Sequence, residues 1–94
     1  MTITVQSKVV RNNQLMSTPV GEDIVVLNLA QNAYFGLNDI GRRIWGRLDN
    51  PCVVDLLIKS MVAEFAGDPA AITVDILAFL TEMENDGLIH VVAD

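Results

Sequence analysis

The run Y-F-G-L-N-D-I-G-R-R-I-W, residues 34–45, changes hydrophobic period partway through, and few folds accommodate that. Phe35 and Leu37 alternate with Tyr34 and Gly36, the repeat of a strand with one buried face, whereas Ile40, Ile44 and Leu48 recur at the spacing of one helical face. A strand must therefore pass into a helix near Asn38, with both buried faces sharing one core. Asn38 suits that junction, because its side-chain oxygen can accept a first-turn N–H, and Asp39 suits the positive end of the helix. Ile40, Ile44, Trp45 and Leu48 give the helix its expected buried side, and Asn50-Pro51 ends it.

Upstream, the β-rich runs 24–29 and 33–37 flank Gln31-Asn32 and predict a hairpin. Residues 1–20 are polar with scattered valines and predict a partly loose start with one short strand at 8–11. Downstream, Val53, Leu56, Leu57, Met61 and Phe65 predict a second helix over 53–65, with Gly67 past its end. A third helix opens with Asp68 as cap and Pro69 in its first turn and runs to Asp86, before Gly87. A strand over 88–92 closes the chain. This order of elements predicts one α+β domain over residues 1–94, a winged helix-turn-helix with three helices packed on a small antiparallel sheet.

A chain of 94 residues buries roughly 60–65% of its unfolded surface, yet 51% of this one is hydrophobic, more than one small core obviously needs. The excess is clearest in the third helix. Ile72, Ile76, Phe79, Leu80 and Met83 form a core stripe, and Val74, Leu77, Ala78 and Thr81 lie on the other side. Two stripes require two neighbours, the second being either more of this chain or another chain.

Charge excludes several functions. The net charge is −6, and no Lys or Arg follows Lys59. A helix that reads a DNA groove needs cations for phosphates and base edges, and the third helix has none. Arg42, Arg43 and Arg47 lie on the first helix, where they are expected to form a solvated face. The single cysteine, Cys52, cannot form an internal disulfide and is expected to pack in the core or cap a helix weakly; with His90 it does not make a metal set. There is no glycine-rich phosphate loop and no nucleophile–base set, so neither an enzyme nor a cofactor is expected. No secretory signal and no apolar run of about 20 residues is present, which predicts a cytoplasmic protein that does not enter the membrane.

The run Y-F-G-L-N-D-I-G-R-R-I-W-G-R-L, then V-V-D-L-L, then D-I-L-A-F-L-T-E-M-E-N-D-G-L-I, resembles the PqqD-like recognition element of ribosomal-peptide biosynthesis over residues 24–92. The most specific parts are L-N-x-x-G-x-x-I-W at 37–45 and the F-L…G-L-I ending at 79–89. Within the family, the form of the first run in a free-standing chain is most similar to the small leader-binding protein of lasso-peptide biosynthesis. Cys52 stands where a Thr capping the second helix is expected, implying a cap weaker by about 1 kcal/mol.

The resemblance implies a non-catalytic protein that binds the leader segment of a precursor peptide and delivers it to a leader protease and a cyclase. The leader would add as an antiparallel strand beside the hairpin's second strand and lean on the third helix. On this reading Phe35 and Leu37 point into the core, Tyr34 stays at the docking surface, and Gly36 lets a second backbone come close. The leader-binding residues implied are Ala33, Tyr34, Phe35 and Gly36 on the strand and Val74, Leu77, Ala78 and Thr81 on the helix, with Asp75, Glu82 and Glu84 as an acidic rim. Periodicity leaves open whether the groove lies over that helical stripe or over the flank at Asp75, Phe79 and Glu82. Alternatives are a PqqD-type chaperone serving a radical-SAM enzyme, a winged-helix DNA-binding module, and a dimerisation module using the same strand edge.

Overall fold

A computed structural model of the chain describes residues 3–92. The described elements are β1 (Lys8–Arg11), β2 (Met16–Val20), β3 (Asp23–Asn28), β4 (Ala33–Leu37), α1 (Asp39–Arg47), β5 (Cys52–Val53), α2 (Val54–Phe65), α3 (Pro69–Asn85) and β6 (Ile89–Val91). The fold is α+β. In place of one small sheet there are two, each antiparallel with three strands, ordered β5-β1-β6 and β2-β3-β4.

The hairpin forms where its alternation places it, with Val26 opposite Phe35 and Ile24 opposite Leu37. Val26 and Leu37 are buried, and Ile24 and Phe35 pack against the core. Strand β2 was not anticipated, because M-S-T-P-V has no buried alternation to reveal it. All five of its residues are exposed, and Pro19 is tolerated on an edge strand, where one side needs no donor. Gly21, at φ +62°, supplies the left-handed residue of the two-residue turn into β3.

Residues 3–20 also carry tertiary contacts to α2. Ile3 is buried, and the carbonyls of Val5 and Ser7 accept the N–H groups of Asp55 (2.9 Å) and Val54 (2.8 Å). These backbone bonds satisfy the first turn of α2, whose cap residue Val53 offers no side-chain acceptor. Cys52 is therefore not the cap. It pairs with Val9 in β5 and packs half-buried against the core, where burial pushes its thiol pKa up.

Two helical stripes turn out rotated from expectation. Because Val53 is extended in β5, α2 starts one residue later and buries Val54, Leu57, Ile58 and Met61, leaving Leu56 and Phe65 exposed. In α1, Gly41 joins Ile44 and Trp45 on the buried side, and Ile40 is half exposed. Helix α3 follows its caps. Asp68 Oδ1 accepts the Ala70 N–H at 3.1 Å, and Gly87, at φ +77°, ends the helix while Leu88 N–H returns to the Met83 carbonyl. Its core residues are Ile76, Leu80 and Met83, whereas Ile72 and Phe79 are only half-buried.

Candidate functional site: the cleft between β4 and α3

Strand β4 pairs with β3 on one side and with no described strand on the other. Its free edge borders a cleft whose far wall is α3. One compartment, of about 320 Å3, is lined by Gly36, Leu37 and Ile40 on the strand–α1 side and by Asp75, Ile76 and Phe79 on α3. The next, of about 360 Å3, is lined by Tyr34, Phe35 and Gly36 and by Phe79, Glu82, Met83 and Asp86. Gly36, Leu37 and Phe79 belong to both, so the cleft is continuous and Phe79 stands at the join. The second compartment alone takes Tyr34 and Phe35 from β4 with Glu82 and Asp86 at the end of α3, and the first alone takes Asn38 and Ile40 with Asp75 and Ile76, so β4 and α3 run in opposite directions.

Asn38 places this site. Its Oδ1 accepts the Gly41 N–H at 2.9 Å, starting α1 directly after β4 and turning Ile40 toward the cleft. Two glycines then differ in use. A methyl group on Gly41 would lie 3.0 Å from Phe79 Cζ and 3.2 Å from Leu37 Cβ, so the missing side chain lets the Phe79 ring close on α1. A methyl group on Gly36 would meet nothing within 4 Å. Neither conformation nor packing among the described residues requires glycine at 36, and Gly36 lines both compartments.

Three of the four strand residues expected at the site, Tyr34, Phe35 and Gly36, line the cleft. Tyr34 is 76% exposed, Phe35 and Leu37 turn inward, and Gly36 faces open space. Ala33 is paired with Asn28 at the hairpin end and lines neither compartment. On α3 the cleft lies along the flank Asp75, Phe79, Glu82 and Asp86, spaced i, i+4, i+7, i+11. The stripe Val74, Leu77, Ala78 and Thr81 lies off it. Val74 and Ala78 are exposed, Leu77 packs half-buried against the core, and the Thr81 hydroxyl donates to the Leu77 carbonyl at 2.8 Å. Of the expected acidic rim, Asp75 and Glu82 line the cleft and Glu84 does not. The cleft follows the flank at Asp75, Phe79 and Glu82 that periodicity left open, while Ile40 and Asp86 are wall residues the sequence did not single out, although the i, i+4, i+7, i+11 spacing of the α3 set is visible in it.

The electrostatics are one-sided. Neither compartment is lined by Lys or Arg, and no described cation forms an ion pair with Asp75, Glu82 or Asp86. The arginines of α1 are committed elsewhere, on a face where Arg42 and Arg43 are exposed and Arg47 is half-buried. Arg43 and Arg47 both bind Glu64 on α2, and Arg42 donates to the Gly21 carbonyl at 3.2 Å. The hydrogen bond from Arg43 holds the Glu64 carboxyl below its ordinary pKa and raises that of Arg43. Among the described residues no cluster of His, Cys, Asp or Glu could hold a metal ion, and no helix is long and apolar enough to cross a membrane.

A solved chain described as TbiB1 in complex with the TbiA(beta) leader peptide is 27% identical and superposes with a TM-score of 0.79, covering 90% of this chain and 99% of that one. No curated protein matches. The family model for coenzyme PQQ synthesis protein D (PqqD) matches residues 23–89, so the resemblance seen in the sequence holds and the chain belongs to the PqqD family.

Proposed function

We propose that this protein is a non-catalytic recognition element. It captures the leader segment of a ribosomally made precursor peptide by strand addition to β4 and delivers it to the leader protease and cyclase of lasso-peptide maturation. The carrying observation is the free edge of β4 running beside an open cleft in a chain similar to one solved with a leader peptide. An unpaired edge supplies main-chain hydrogen bonds, and the compartments along α3 supply pockets for alternate side chains of the added strand. In this reading the hairpin is the wing of a winged helix-turn-helix whose third helix binds peptide instead of DNA. The leader-binding set is Tyr34, Phe35 and Gly36 with the α3 flank at Asp75, Phe79 and Glu82.

Titration with labelled leader peptides from precursors encoded beside the gene tests this. Gly36→Val should weaken binding by at least about tenfold, by filling the space a guest backbone enters, while Val74→Asp should leave it unchanged. The opposite pattern would move the site to the outer stripe of α3. A neighbouring radical-SAM enzyme, in place of a protease and cyclase, would favour the chaperone reading.

A further inference from the structure

The two compartments are chemically unlike. In the first, Leu37, Ile40, Ile44, Ile76 and Phe79 are apolar, and Asp75 stands as the one charge among the lining residues. In the second, Glu82 and Asp86 sit one helical turn apart on the same face, with the exposed Tyr34 across from them. Like charges at that spacing repel, and no described cation relieves them. The fold leaves a cation-shaped need in one compartment and an apolar one in the other, with the Phe79 ring between.

Resting on the proposed strand capture, we infer that the cleft reads an ordered pair in the guest: an apolar side chain followed, two residues later, by Lys or Arg. Along β4, one compartment extends from Gly36 past Leu37 and the other from Leu37 back to Tyr34. The two compartments adjoin, sharing Gly36, Leu37 and Phe79, so they suit successive side chains on one face of an added strand, which stand two residues, or about 7 Å, apart. A spacing of four residues would overshoot at about 13 Å. A strand antiparallel to β4 begins at the Leu37 end, so its earlier residue enters the apolar compartment and its later one meets Glu82 and Asp86. Charge complementarity sets the second residue, and the Phe79 partition makes the order matter.

The test uses the full chain and four fluorescein-labelled dodecapeptides on one Thr/Ser/Val background, with central triplets Leu-Thr-Lys, Leu-Thr-Glu, Lys-Thr-Leu and Ser-Thr-Lys, followed by anisotropy. Leu-Thr-Lys should bind about tenfold more tightly than Leu-Thr-Glu at low salt, with the gap shrinking as salt screens the pair. Lys-Thr-Leu and Ser-Thr-Lys should be weaker than Leu-Thr-Lys as well. The exposed double variant E82Q/D86N should bring the Lys and Glu peptides together without loss of folding. Equal binding of the Lys and Glu peptides, or of the two orders, with all of them weakened by Gly36→Val, would overturn the ordered-pair rule and leave strand capture standing. Absence of binding by all four up to about 1 mM, weaker than roughly −4 kcal/mol of association, would overturn both.

Discussion

The seam between α1 and α2 and the cleft between β4 and α3 use similar side chains to opposite ends. At the seam, Arg43 and Arg47 hold Glu64, Arg47 Nε donates to Ser60 Oγ at 3.2 Å, and the Arg43 guanidinium lies 5.4 Å from the centre of the Phe65 ring. At the cleft, three carboxylates pair with no described cation, Ile40 and Tyr34 are exposed, and one edge of β4 pairs with no described strand. The chain therefore has the means to close a junction between elements and does not apply them beside β4. The paired glycines repeat the contrast: one is needed for the chain's own packing, the other only by something that enters.

The largest effect that could break this contrast is on the closed side. Gly41→Leu should cost about 1–3 kcal/mol in chemical denaturation, by driving a side chain into Phe79 and Leu37. Gly36→Ala should leave stability unchanged or raise it by up to about 0.5–1 kcal/mol, since a strand glycine is entropically costly, and should weaken leader binding. A comparable loss of stability at both positions would mean that the cleft is packed like the seam.

The carboxylates sharpen the comparison at a smaller scale. Glu82→Gln should stabilise by about 0.2–0.5 kcal/mol, because it removes repulsion from Asp86 and breaks no pair. Glu64→Gln should lower the melting temperature slightly, because both arginines lose their acceptor. The folded pKa of Glu64 lies below its ordinary 4.5, so its contribution is present above about pH 4.5 and is lost as pH falls through the depressed value. The Glu64→Gln difference in melting temperature should therefore vanish on acidification, and persistence at low pH would assign it to packing instead.

The elements with strong local signals were legible in the sequence: the β4–α1 period change, the Asn38 and Asp68 caps and the Gly87 stop all stand where the residues place them. The errors share a cause, since helical phase is set by tertiary pairing that periodicity does not contain. Cys52 and Val53 pair with β1, so α2 begins at Val54, and its buried face is Val54, Leu57, Ile58 and Met61, with Leu56 and Phe65 outward. The apolar excess on α3 is absorbed partly by Leu77 against the core and partly left in solvent at Val74, so it does not mark the cleft. Phe79, assigned to the core by its spacing, divides the site because Gly41 admits its ring. Strand β2, exposed throughout, carries no burial pattern to read.

Backbone amide hydrogen exchange across β4, with and without saturating leader peptide, tests strand capture most directly. The outward-facing N–H groups of Ala33–Leu37 should slow on binding, as should amides near Phe79 and Glu82, with β2 unchanged. Slowing confined to β2 or to the outer face of α3, with β4 exchanging as in the free protein, would contradict the account.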